Sequence, residues 1–592
     1  MEPYRMRQIH RYLSLLLLLL VPALSHAGVQ LVVDGVNDPL KAAVVAGVSL
    51  SQYAARDVSE AQVHRLYDRA DAEAGAALRP YGYYDAHITG KIVQAGKDWR
   101  ISLHVTPGEP VKVTSIDVKL DPAAAALKPI RDARRGIEKL KGQRLDDAGY
   151  DAARDALNNA LTANGYLDAK LTVRRVEVNR GERSAAIHLA WDVGRRYRYG
   201  QVQFEGSQFQ PNFLQRYVPF KTGDYFDQNQ LLSLQQALNS ADYFSVVNVI
   251  PETDKAKDGV VDIKVELAPA KRRIYTTGLF VGTDTGVGVR GGVEYRWVNS
   301  YGHKWKNDIV LAQRLKTLSS QYTIPLPGDN QRSLNFGATF RDANTVTSQS
   351  RTLELVANES ELWHEWVRTV GVHALTGSFD VGKTPNEPES TPGVEHGHST
   401  LFYAEGSLSR KVADNFDFVH RGWSLNFDAR STANDLLSTA RFSEITASGK
   451  WIRSFWRTNR LILRGDLGHV WTNHFDALPP QLRFFAGGDQ SIRGYPFQGI
   501  GPENTYGRVI GGNSLVIGSA TIEHYFTPRW GIATFVDAGN AFNGTNVHPK
   551  IGTGIGVRWR SPVGMIRVDV GTPINDAQRH GVELHLVIGP DL

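Results

Sequence analysis

Gly554-Ile555-Gly556-Val557-Arg558-Trp559-Arg560 places Ile555, Val557 and Trp559 on one side of an extended chain, with two glycines and two arginines on the other. Such a strand meets something apolar along one face only. Two further stretches repeat the pattern: Ile566, Val568 and Val570 alternate with Arg567 and Asp569, and Val582, Leu584, Leu586 and Ile588 alternate with Glu583 and His585. From residue 271 onward, runs of about ten alternating residues separated by Gly, Asn, Asp and Pro fill the chain, and about sixteen of them fit. That is the signature of an antiparallel transmembrane barrel, with lipid outside and a polar lumen inside. A soluble β-sandwich also alternates. Against it stand aromatics near strand ends, Trp451, Phe455, Trp456, Trp471 and Phe475, placed as interfacial girdles. The mean hydropathy of -0.30 agrees with a barrel, because lumen-facing polar residues offset the lipid-facing ones.

Before residue 271 the texture differs, and a helix-turn-strand unit recurs three times. The turn Gly82-Tyr83-Tyr84-Asp85-Ala86 matches Gly165-Tyr166-Leu167-Asp168-Ala169, and Ala241-Asp242-Tyr243-Phe244-Ser245 is a weaker third copy. A helix precedes each turn, as over Asp147 to Asn164, where Tyr150, Ala153, Leu157 and Leu161 fall at helical spacing. Two alternating strands follow, as over 169–176 and 185–193, and a charged hinge closes each unit. A period of about 80 residues means tandem small domains. The expected limits are 28–108, 109–195 and 196–270, with the barrel over 271–592. These units resemble POTRA domains, β-α-α-β-β modules that stand in the periplasm on barrel-assembly proteins; an unrelated α+β tandem is the alternative.

Residues 1–27 read as a secretory leader, with Arg5, Arg7 and Arg11 before the apolar run Leu13 to Leu20 and Ser25-His26-Ala27 at the cleavage positions. The run is shorter than the roughly 20 residues of a spanning helix. Loss of this leader takes the formal charge from +6 to +4, too little for a nucleic-acid footprint. Cysteine is absent, which excludes disulfides, thiolate metal sites and thiol nucleophiles. His396-Gly397-His398 hints at a metal, but it is placed in a polar loop over 385–399 with no spaced third ligand. Gly286 to Gly291 satisfies G-x-G-x-x-G with no helix after it, and reads as a glycine-rich barrel strand. No nucleophile, base and orienting acid stand together. Neither an enzyme nor a cofactor is expected.

About forty residues separate a strand ending near Asn473 from one starting near Ser514, far beyond the length of an ordinary turn. This loop carries Arg483-Phe484-Phe485-Ala486-Gly487-Gly488 and then Ile492-Arg493-Gly494-Tyr495. The latter resembles the [VI]-Arg-Gly-[FY] tip of the sixth extracellular loop in the BamA and TamA superfamily of outer-membrane assembly proteins. The resemblance implies that the loop folds into the lumen and that Arg493 pairs there with acids on the wall, matched here by Glu523 and Asp537. Alternation turns Glu523, Phe535 and Asp537 inward and sets Ile522, Phe526, Val536 and Ala538 toward lipid. A guanidinium engages two carboxylates directionally, so Arg493 is expected to latch the loop. The alternative is an arginine at a solvated loop tip above acids that line a wet lumen.

The resemblance therefore implies three POTRA-like β-α-α-β-β domains followed by a 16-stranded transmembrane antiparallel β-barrel in the Gram-negative outer membrane. Three repeats and the ending Gly589-Pro590-Asp591-Leu592 are nearest the TamA-type members. It further implies outer-membrane lipid, unfolded outer-membrane protein clients such as autotransporters, and a TamB-like periplasm-spanning protein as partners. Client strands would enter at a lateral gate between the first strand, with Ile274, Thr276 and Gly278, and the last, with Leu584, Leu586, Gly589 and Pro590. Proline lacks an N–H, and glycine weakens a strand, so this seam is expected to be the barrel's weakest pairing, with Thr276 and Leu586 facing each other across it. A two-partner secretion transporter and a passive channel are the competing readings.

Overall fold

Each repeat folds around a strand whose alternate residues are apolar. The computed structural model describes residues 28–589, apart from 55, 57, 97, 328–330, 389, 416, 433–436, 457, 563 and 577–580. The expected leader and Pro590 lie outside the described residues. The first repeat comprises β1 (Val29–Asp34), α1 (Leu40–Gly47), α2 (Glu60–Leu78), β2 (His87–Ala95) and β3 (Asp98–Thr106). Trp99, Ile101, Leu103 and Val105 of β3 are buried against Val63, Ala70, Ala74 and Leu78 of α2, the stripe that helical spacing aligns. β3 is central, parallel to β1 and antiparallel to β2.

The second repeat has β4 (Lys112–Lys119), α3 (Pro122–Ala126), α4 (Lys128–Glu138), α5 (Asp147–Ala163), β5 (Lys170–Asn179) and β6 (Ser184–Asp192), ordered β4-β6-β5. Asp121 caps α3 by accepting from the amides of Ala123 and Ala124. Leu157 and Leu161 of α5 pack on Ile187, Leu189 and Trp191. The third repeat has β7 (Arg198–Glu205), α6 (Pro211–Gln215), α7 (Gln228–Ser240), β8 (Phe244–Pro251) and β9 (Val260–Pro269), ordered β7-β9-β8. Its turn departs from the other two for a visible reason. Gly82 and Gly165 hold φ of +83° and +93°, and the residue that matches them is Asp242 at +61°, one position later than sequence alignment places it. Aspartate is among the few side chains that tolerate this region, and Tyr243 then falls where Tyr83 and Tyr166 stand.

By its internal contacts the chain falls into two compact units: residues up to Val202 with 220–232 and 251–263, and residues 203–219 and 233–250 with everything from Lys264 onward. The second unit contains a nearly closed sheet of sixteen strands, each antiparallel to its sequence neighbours, from Arg273–Gly282 to Glu583–Gly589. In lipid every backbone N–H and C=O needs a partner within the protein, which favours pairing around a ring. Ile522, Val536, Ile555, Val557 and Leu584 are exposed on the outer face, as are Trp451, Trp456 and Trp471. Phe475 is not part of that girdle; it packs against the core of the long loop. His396 and His398 also move: they belong to the strand Glu395–Ala413, where His396 meets Asp380 at 2.7 Å and His398 meets Ser378 at 3.2 Å. Among the described residues no group of metal-ligating side chains gathers.

The sheet's two ends approach each other where the Leu586 amide donates to Thr283 Oγ1 at 3.2 Å, one residue past the first strand. Thr276 is therefore not opposite Leu586. An antiparallel run from that contact brings Gly589 only to about Phe280, because antiparallel residue numbers sum to a constant. Ile274, Thr276 and Gly278 pair with Glu294, Gly292 and Arg290 of the following strand. No described register joins the first and last strands. Replacing the lipid-facing Val536 with arginine should lower barrel stability by about 2 to 4 kcal/mol, as read by denaturant unfolding in bilayers.

Candidate functional site in the barrel lumen

Residues 473–513 leave the wall after the strand Asn459–Thr472 and return at Ser514–Tyr525. The loop is a small folded body. Arg483 staples it from within, donating to the carbonyls of Leu478, Ile510 and Asp476 at 2.8, 3.1 and 3.1 Å. Backbone bridges join Phe484 to Gly512 and Ala486 to Ile500. Ile492 and Tyr495 are fully buried in a cluster with Leu401, Phe442, Leu482 and Phe484, so the tip is anchored by apolar contact as well as by charge. Toward the far rim, Arg508 donates to Gly382 O at 2.6 Å and to Glu387 at 2.8 Å.

At the tip, Arg493 forks onto Asp537: Nε donates to Oδ2 at 2.7 Å and Nη2 to Oδ1 at 2.8 Å. Its own amide adds a third bond to Oδ2 at 3.0 Å. Nη2 also donates to Thr521 Oγ1 at 3.0 Å, and the guanidinium lies 3.5 Å from the Phe535 ring centre. Asp537 is wholly buried and Arg493 only 7% exposed, so this pairing is made away from water. Gly494 holds φ +94°, and a Cβ there would fall 2.9 Å from Thr572 N, so the tip backbone lies directly on the wall.

Glu523 does not hold Arg493. Its partners are Arg460, through Nε at 2.9 Å and Nη2 at 2.6 Å, and Arg558, through Nε at 2.7 Å. The register explains the correction. Ser519 is the residue opposite Asp537, and Glu523 lies four residues further along that strand, about 13 Å at the rise of an extended chain. One guanidinium cannot bridge that gap. The second acid on Arg493 is Asp569, at 2.9 Å from Nη1, and Asp569 also receives Arg558 Nη1. The result is a continuous alternation of buried charge: Asp537, Arg493, Asp569, Arg558, Glu523, Arg460. Sequence reasoning assigned no role to Asp569, Arg460 or Arg558, although the alternation over 565–571 already turned Asp569 inward.

The wall opposite the tip is thinned to receive it. Gly552, Gly554 and Gly556 form the inward row of the strand Lys550–Ser561. A Cβ at Gly552 would fall 1.9 Å from Arg493 O, and one at Gly556 would fall 1.8 Å from Asp569 Oδ1. Residues 554–560 therefore carry two messages, apolar residues for lipid and glycines that make room for Phe535, Asp569 and Arg558 on the inner wall beside the tip. Of the expected gate residues, Leu584 and Leu586 stand on the outer side of the last strand, and Gly589 ends it.

Residues 280–590 match the Omp85 superfamily domain. Residues 30–107 match the first POTRA domain of the TamA type, and residues 197–269 match the POTRA surface antigen repeat. Over 554 residues the chain is 22% identical to "Outer membrane protein assembly factor BamA" of Nitratidesulfovibrio vulgaris, covering 88% of this chain and 68% of that protein. Among solved structures it is similar to BamA from Haemophilus ducreyi lacking POTRA domains 1–3, with a TM-score of 0.66 and 17% identity over 81% of this chain and 99% of that one.

Breaking a buried ion pair on one side leaves an uncompensated charge, so Arg493→Ala should cost about 3 to 5 kcal/mol and make residues 473–513 sensitive to external protease. Arg493→Lys should not restore protection, because an ammonium cannot fork onto one carboxylate while reaching a second. Glu523→Gln should destabilise the wall yet leave the loop protected, since both acids on Arg493 remain.

Proposed function

The chain belongs to the Omp85 superfamily, and from that premise we propose that it is a TamA-type assembly factor that inserts β-barrel clients, autotransporters among them, through a lateral gate. It is an outer-membrane β-barrel protein with its POTRA domains in the periplasm. The observation that carries the gate is the seam. Fifteen strand pairs have continuous registers, while among the described residues the first and last strands share none, and a bond from the Leu586 amide reaches Thr283 just past the first strand. Unpaired backbone edges recruit extended chains by β-augmentation, and the inner edge of Arg273–Gly282 offers such a template. No covalent step is required.

On this reading Arg493, Gly494, Tyr495 and Ile492 form a latch that seats the loop against Asp537, Phe535 and Asp569, with Glu523 bracing the wall behind. Ile274, Thr276 and Gly278 lie along the edge a client would pair with, and Leu584, Leu586 and Gly589 along the strand that moves away. The match of the first repeat to the TamA type supports a TamB-like periplasmic partner docking on the repeats. A passive channel is disfavoured because the lumen holds a folded, ion-paired loop, and planar-bilayer recordings should show only small, intermittent conductance.

Extending the antiparallel run from the Leu586–Thr283 contact sets Val281 against Ile588, both outward. Val281→Cys with Ile588→Cys should therefore form a disulfide under oxidation. The oxidised protein should lose client assembly into liposomes, and reductant should restore it. Full-rate assembly by the locked barrel would exclude the gate.

A further inference from the structure

Asp489, four residues before Arg493, sits between the two end strands of the barrel. Its Oδ1 accepts the Thr283 hydroxyl at 2.6 Å from the hairpin that follows the first strand, and His585 Nδ1 at 2.7 Å from the last strand. His585 Nε2 in turn accepts the amide of Gly494 at 2.8 Å. The ring therefore carries its proton on Nδ1, since Nε2 faces a donor. Thr283 gives its only proton to Asp489, which leaves its oxygen free to accept the Leu586 amide. Every donor in this relay meets an acceptor. Asp489 N also donates to Asp284 Oδ2 at 3.2 Å, and Gly488, at φ +104°, allows the loop this close approach. The side chains of His585 and Asp489 are 4% and 5% exposed, so water competes poorly for these bonds.

We propose that Asp489, His585 and Thr283 form a clasp through which the seated loop holds the first and last strands together, so that the loop must lift before the seam parts. The clasp deepens the gate described above, and its role in client entry rests on that reading. The geometry makes the coupling specific. A single carboxylate oxygen from the loop binds one side chain from each side of a seam that has no described ladder. The same imidazole that receives Asp489 also receives the backbone of the loop tip, so tip docking and seam closure share one group. Arg493 seats the loop on the interior of the wall, and Asp489 transmits that seating to the edge. His585 and Thr283 are positioning residues.

The test reads seam opening directly, in resting protein in liposomes without clients. Amide exchange is followed by mass spectrometry over residues 583–589, with 514–525 as internal reference. Asp489→Ala leaves the Leu586–Thr283 bond available, yet exchange over 583–589 should rise about tenfold, the factor expected for losing a charge-assisted hydrogen bond. Thr283→Val keeps the shape and removes the hydroxyl, and should produce a similar rise. Thr283→Ser keeps the hydroxyl and should stay within about twofold of the parent, a rescue that packing alone would not give. Folding of each variant is checked by heat-modifiable gel migration; the threonine pair reads the Leu586–Thr283 bond, and the Asp489 variant reads the loop's hold on it. Unchanged exchange over 583–589 in Asp489→Ala, or Thr283→Ser exchanging as fast as Thr283→Val, overturns the clasp. Client assembly by the oxidised Val281–Ile588 pair would overturn the gate and leave the clasp standing, so the two failures are distinct.

Discussion

A charge inside a barrel must be paired or hydrated, and the lumen of this one is occupied by its own loop. The six alternating charges from Asp537 to Arg460 meet that constraint together. Because burying an ion costs several kcal/mol before its partner repays it, each member is held by a neighbour of opposite sign. Arg493 is the only loop residue in the row, so a connection between strands becomes a part of the wall. The apolar tip, the thinned strand behind it and the relay to the seam are all placed relative to that one guanidinium.

The outer face and the lumen face follow from period-two alternation, and sixteen strands could be counted from it. Inward placement of Glu523, Phe535 and Asp537 was equally legible, since parity along a strand is a local property. Which inward acid meets which arginine is not local. It depends on the offset between neighbouring strands, and the four-residue separation of Ser519 from Glu523 cannot be read from either strand alone. The same limit hid the contact between Leu586 and Thr283, residues three hundred positions apart whose meeting requires the sheet to curl almost fully.

The repeats show the complementary case. Their helices and strands were readable from spacing, and the recurring turn from its Gly-Tyr pair. The third copy obscured itself by exchanging glycine for Asp242, which performs the same left-handed turn with a side chain attached. Arg296 then uses that side chain as an ion-pair partner at 2.8 Å, so the exchange adds a contact that glycine could not make.

The row of glycines over 552–556 bears on how the chain completes itself. Asp537, the glycine row, Asp569 and His585 all follow the loop in the sequence, and of the six paired charges only Arg460 precedes it. A nascent chain therefore presents Arg493 long before the cradle for it exists. The tip can settle only once the final strands have joined the wall, which makes seating of the loop a report that the barrel's own construction is finished.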